Sequence, residues 1–266
     1  MGRARVGLAV AVLACVLPAP AVAKLTDMPT AHAVFTLDAD GVLEVLEQLN
    51  VRADEPTAAT WQVSMRRGEL FAQPSLVVDE HRYRPGDGRQ SGTFRISRGT
   101  RGVRFDWQQP EGMHSVRLAY RLALFGTAYT DVVDLRVPVW ERDWPVAVGE
   151  LTASLKLPRL PRGEVIVWVE PRSLEATFAT SGRQIGVRAR DVSAHTAVTL
   201  RTVLPRNVLS SFEGVNVQSR PGRAEILDER RAGGSAWWPW ALVGVAVLAV
   251  SAVALRRARS HRQPRR

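Results

Sequence analysis

The sequence predicts an all-β body set between two apolar ends, and three observations predict it. Short apolar runs follow one another from residue 33 to 204, many alternating with polar residues or rich in β-branched ones. Clusters of Gly, Pro and Asp separate these runs at strand-length intervals. The two chain ends are apolar stretches flanked by arginine.

At the start, Arg3 and Arg5 precede an apolar stretch from Val6 to Leu17, which Pro18 and Pro20 break. Ala21-Val22-Ala23 is a small-residue cleavage site, so residues 1–23 read as a secretory signal with Lys24 the mature N-terminus. Val12-Leu13-Ala14-Cys15 also admits a lipid-attachment reading, although Leu13 fits it poorly. Cys15 is the single cysteine and leaves with the signal. The exported region then holds no disulfide and no thiol nucleophile, and core burial must stabilise it.

Residues 33–37 run into Asp38-Ala39-Asp40-Gly41, and residues 42–47 follow, which predicts a hairpin. Alternation in the second arm is imperfect at Glu44, Val45 and Glu47. Gly41 to Asn50 also admits a helix, but Val42, Val45 and the preceding turn favour strand. Further strands are expected at 60–65, 75–79, 93–97, 102–107, 115–124 and 128–137. In 115–122 the residues Val116, Leu118, Tyr120 and Leu122 share one face, with Arg117 and Arg121 on the other. Composition changes at Trp140-Glu141-Arg142-Asp143-Trp144-Pro145. A second set follows at 148–157, 164–169, 174–179, 184–190 and 197–204, punctuated by prolines. The organisation expected is one or two immunoglobulin-like β-sandwich units, a first over 24–142 and a second over 143–209. Residues 210–236, with Pro221-Gly222 and Gly233-Gly234, read as a stalk.

Residues 237–255 read as a single transmembrane helix about 28 Å long, close to the hydrocarbon thickness of a bilayer. Trp237, Trp238 and Trp240 suit the interface, and Pro239 sits in the first turn, where its missing N–H costs little. Arg256 and Arg257 open a basic tail over 256–266, which orients the tail to the cytoplasm and the body outside. The net charge of +10 does not signal nucleic acid. The region 24–236 holds 28 basic and all 26 acidic residues, so eight of the ten excess charges lie in the signal and tail. The lipid bilayer is the expected partner, with the tail resting on anionic lipid.

No catalytic constellation is legible, and no cofactor or metal is implied. His32, His81, His114 and His195 lack a second ligand at metal spacing. In Asp79-Glu80-His81 the neighbours would point to opposite faces of a strand. Asp38-Ala39-Asp40-Gly41 resembles the opening of a calcium loop but lacks its remaining ligands, so a β-turn is expected. Asp131/Asp134 and Glu141/Asp143 are carboxylate pairs with arginines near them, which suits ion pairs more than catalysis. Trp140 and Trp144 are the candidate binding residues, as an exposed aromatic pair, with packing at the junction of the two β units as the competing role. Two functions remain, beside a weaker third, a sensor whose short tail could recruit a cytoplasmic partner only by charge. One is an envelope protein binding a protein or cell-wall partner. The other is an exported hydrolase using Asp131, Asp134, Glu141 or Asp143 at the seam.

Four stretches carry a family resemblance: residues 37–45 (Leu-Asp-Ala-Asp-Gly-Val-Leu-Glu-Val), residues 116–121 (Val-Arg-Leu-Ala-Tyr-Arg), residues 131–158 through Trp140 and Trp144, and residues 185–205. On these the chain resembles the bacterial predicted membrane proteins grouped as domain of unknown function 2207. The resemblance implies an exported β-rich part held by membrane helices and carries no catalytic residue. Many such proteins continue into several membrane helices and a glycine-rich tail, whereas one transmembrane helix and a short basic tail are expected here.

Overall fold

A computed structural model describes residues 25–100 and 102–232. The expected signal, the apolar segment with Trp237, Trp238 and Trp240, and the basic tail with Arg256 and Arg257 lie outside the described residues. Among the described residues, no helix is long and apolar enough to cross a membrane.

The body is nearly all-β, with strands joined by turns and loops and one α-helix among the described residues. In chain order it contains β1 (Leu25–Leu37), β2 (Leu43–Ala53), β3 (Thr57–Ser64), β4 (Leu70–Val78), β5 (His81–Arg82), β6 (Arg84–Pro85), β7 (Thr93–Gly99), β8 (Gly102–Gln109) and β9 (Gly112–Ala123). There follow β10 (Thr127–Ala128), β11 (Val132–Trp140), β12 (Val148–Lys156), β13 (Ile166–Glu170), β14 (Ala176–Ser181), β15 (Gln184–Val192), β16 (Val198–Pro205) and β17 (Asn216–Val217). A single α-helix, α1 (Arg223–Ala232), closes the described part. Residues 43–50 are strand, as the β-branched content favoured.

Three sheets form. One has eight strands in the order β14-β15-β12-β1-β2-β9-β4-β5, a second runs β13-β16-β11-β10-β17, and a third runs β3-β8-β7-β6. Strict alternation in β2 buries Leu43, Val45, Leu49 and Val51 on one face. All three sheets contribute side chains to one continuous apolar cluster.

The break expected near residue 143 does not divide the sheets. β1 pairs in parallel with β12, from Thr30–Glu150 to Thr36–Lys156, and β11 pairs with β16. Backbone hydrogen bonding therefore joins the two sets of strands. The composition change at 140–145 marks the turn by which the chain leaves one sheet for another.

Residues 210–232 are not a stalk but part of the packed body. The amides of Ser210 and Ser211 donate to Ala39 O, and the amide of Gly214 donates to Asp40 O. That ties this segment to the β1–β2 turn. Gly214 sits so close that a Cβ would lie 2.6 Å from the Val42 amide. Beyond it, α1 lies on the outer face of the second sheet, where Ile226 packs with Val132, Ile166, Trp168 and Val203. This cover explains why β11 and β16 are buried on both faces.

Candidate functional site

The chemistry expected at the seam gathers at the end of β11. Trp140 closes that strand, and Trp144 follows across a short turn. Their rings stack at 5.4 Å with an interplanar angle of 16°. Trp61 of β3 meets Trp140 edge-on at 5.5 Å and Trp144 at 4.8 Å. Both expected binding residues are only 2% exposed. The exposed aromatic pair is thus corrected to a buried three-indole cluster that joins the third sheet to the second. The indole N–H groups of Trp140 and Trp144 find no hydrogen-bond partner among the described residues.

One edge of the cluster still meets solvent. Trp144 lines a cavity of about 350 Å³ with Leu25, Glu141, Asp143, Arg104 and Thr60. Glu141 is fixed there by two bonds from Ser64: the amide donates to Oε1 at 2.8 Å and the hydroxyl to Oε2 at 2.6 Å. Burial raises its pKa despite those bonds, and the negative charges of Asp143 and Glu69 add to the rise. Deeper in the core, Tyr120 donates to Oε1 of Glu47 at 2.9 Å. Desolvation pushes Glu47 well above the usual carboxylate range against that hydrogen bond, and the Glu141 charge works in the same direction as burial. Glu47 is the position where alternation in β2 was imperfect. The strand's period aims it inward, and Oε2 has no partner among the described residues.

The other acids named from the sequence do not join Glu141 and Asp143. Asp131 accepts the amides of Gly222 (2.8 Å) and Arg223 (3.2 Å) at the start of α1. Desolvation opposes the shift, but those amides hold its pKa below the ordinary value. Asp134 is buried and takes a two-pronged contact from Arg201 at 3.1 and 2.9 Å. Arg201 also reaches Glu229 of α1 at 2.8 Å, and its guanidinium stands 5.1 Å over the Trp168 ring. Arg230 stands 5.2 Å over the same ring. These two acids hold the helix on the sheet.

The four histidines are each engaged separately. His32 contacts Thr152 Oγ1 at 2.7 Å, His81 contacts Asp79 O at 2.9 Å and His195 contacts Arg142 O at 3.3 Å. His114 is paired with Asp79 and also contacts Glu111 O. Asp79 and Glu80 both adopt positive φ in the β4–β5 turn, which frees the Asp79 carboxylate to face β9 rather than His81. Among the described residues, no group of three or more His, Cys, Asp or Glu could hold a metal ion. The Asp38 turn is also structural. Asp38 Oδ1 accepts the amides of Asp40 at 3.0 Å and Val42 at 2.8 Å.

Sequence reasoning missed Glu47, Ser64 and Arg201. An acid in register with Leu43, Val45 and Leu49 on the apolar face of the strand was the available signal for Glu47. Ser64 and Arg201 carried none, because only the pairing of distant strands brings them to Glu141 and Asp134.

A β-rich body with a helix docked on its second sheet and an aromatic, acid-lined seam defines the class of the described residues: a β-sheet domain of a predicted membrane protein family. The chain belongs to the family described as predicted membrane protein (DUF2207) N-terminal domain, whose model matches residues 27–204. No curated protein matches it. Among solved structures, it is similar to a Legionella pneumophila protein described as nutrient binding, at 7% identity and a TM-score of 0.41, covering 66% of each chain. It is also similar to a Parabacteroides distasonis protein described as a protease, at 10% identity and TM-score 0.37, covering 67% of this chain and 40% of that one. An M1 zinc metallopeptidase from Deinococcus radiodurans gives 9% identity and TM-score 0.36, with coverage of 69% and 43%. The chain thus spans less than half the length of the latter two.

Proposed function

We propose that this chain is a single-pass envelope protein, cleaved after residue 23, anchored by residues 237–255 and holding its β-rich body outside the membrane. The body is read as immunoglobulin-like β-sandwich architecture that binds an envelope protein or wall component. The docking of α1 carries this reading. The last described element before the apolar segment is seated on the sheet through Ile226 and the Asp134–Arg201–Glu229 network. A body built to be presented at a bilayer gains from such a seat, which fixes the face it turns to partners. The test is topological. A cysteine placed at exposed Glu80 is expected to react with an impermeant maleimide on intact cells. Labelling only after permeabilisation would overturn the reading.

One observation favours a second reading, an exported hydrolase. Glu141 has a raised pKa and lines the same cavity as Asp143, which is the pairing that acid–base chemistry uses. Glu141→Gln would abolish turnover of wall polysaccharide or peptide on that reading, and unchanged turnover would remove it.

A further inference from the structure

The three sheets expose six edge strands, and the chain protects five of them. β5, β6 and β17 are two residues long, and β6 contains Pro85. β13 ends on Glu170, directly before Pro171. The edge of β3 is flanked by the 141–145 segment, with Glu141 taking the amide of Ser64. Short strands, prolines, charges and covering segments are the usual means of blocking edge-to-edge pairing.

β14 has none of these. It runs six residues, Ala-Thr-Phe-Ala-Thr-Ser, without a charge or a proline. It stands at the end of the eight-stranded sheet with only β15 beside it. Phe178 is 53% exposed although it lies opposite buried Val187, so the apolar face of the sheet overhangs its support at this edge. The strand's ends are oppositely charged. Exposed Glu175 precedes it, and exposed Arg183 follows in the Gly182-Arg183 turn.

We propose that β14 pairs antiparallel with β14 of a second copy of this chain, joining two eight-stranded sheets edge to edge. Antiparallel self-pairing is the arrangement that complements the charges. With the two-fold axis through Ala179, Glu175 of each copy faces Arg183 of the other, whereas a parallel pair would set like against like. The same register places Phe178 opposite Thr180 of the other copy and brings the two Phe178 rings within diagonal reach, burying the overhang. The pairing is read from the body alone and stands separately from the membrane topology.

The test uses the full-length protein in its native membranes. Cys15 is the single native cysteine and is replaced by Ser throughout, so each introduced cysteine is the only thiol. At the two-fold axis the Ala179 Cα atoms would stand about 4.5–5.5 Å apart, within disulfide range. Ala179→Cys is expected to form the strongest self-disulfide along β14, with Arg82→Cys at the opposite edge as background. Glu175→Arg is expected to weaken that cross-link by about tenfold, and adding Arg183→Glu to restore it. Four results would each overturn the proposal: an Ala179→Cys yield no higher than Arg82→Cys, a maximum at another β14 position, a cross-link to a different protein, or charge reversal without effect.

Discussion

The Tyr120 hydroxyl donates to Glu47 Oε1 at 2.9 Å, and both side chains are buried in the main core. The other oxygen of the carboxyl has no partner among the described residues, and the hydroxyl alone does not offset the cost of a buried charge. Desolvation raises the Glu47 pKa well above the ordinary carboxylate range. The folded state therefore holds a proton that the unfolded state releases. Stability is highest below the unfolded value and declines as pH rises above it, levelling once the folded group ionises. Glu47→Gln removes that decline. Denaturant unfolding should show the variant gaining about 1–3 kcal/mol on the native protein between pH 4 and pH 8. Parallel curves for the two proteins would contradict it.

His114 and Asp79 make the opposite case. The hydrogen bond to Asp79 raises the His114 pKa above 6.5, with burial opposing. Against its own desolvation, Asp79 is lowered below 3.8 by His114 and the Ser115 amide. The histidine's contribution is complete below pH 6.5 and is lost as pH rises through the folded value. The aspartate's contribution is present above 3.8 and is lost as pH falls through its own lowered value. Both are in place between about pH 4 and 6.5. Solvent reaches this pair, so its worth is about 0.2–1 kcal/mol. NMR titration should place His114 above 6.5, and Asp79→Asn should bring it down.

Arg201 is only 4% exposed and neutralises Asp134 beneath α1. Arg201→Ala leaves that carboxylate buried without its bidentate partner, at a cost of about 3–5 kcal/mol. The same change leaves Glu229 with Arg136 alone, at 2.8 Å, and takes one of two cations from over Trp168. Hydrogen exchange along residues 223–232 should accelerate before the rest of the body opens. A uniform acceleration would show that the helix is not seated by this residue.

Gly214 and Gly99 predict opposite tolerances. A Cβ at Gly214 would meet three backbone atoms of the first hairpin at 2.6 to 2.8 Å, whereas one at Gly99 meets nothing within 4 Å. Gly214→Ala should cost about 1–3 kcal/mol in thermal or chemical unfolding, and Gly99→Ala close to nothing. Equal losses would mean that the 210–215 segment is not held against the β1–β2 turn.

The strands were legible because their physics is local. Residues 115–122 alternate cleanly and become the core of β9, and Asp38 to Gly41 carries its turn in its own side-chain hydrogen bonds. The parallel β1–β12 pair was not legible, since nothing within either strand names a partner more than a hundred residues away. α1 was hidden by composition. Its residues are mostly charged and only Ile226 is buried, so it resembles a linker until the sheet beneath supplies Trp168, Asp134 and Arg201. Glu225 in its first turn and Arg230 and Arg231 in its last were the helix signals available. Trp140 and Trp144 were identified as a place of interest, but their burial depends on Trp61 arriving from another sheet.

On the proposed anchoring by residues 237–255, the seating of residues 210–232 limits how far this protein can extend. Between Ala232 and Trp237 the slack is at most about 18 Å of fully stretched chain. An anchored copy would therefore sweep a thin layer above the lipid headgroups, and whatever it grips would have to come down to it.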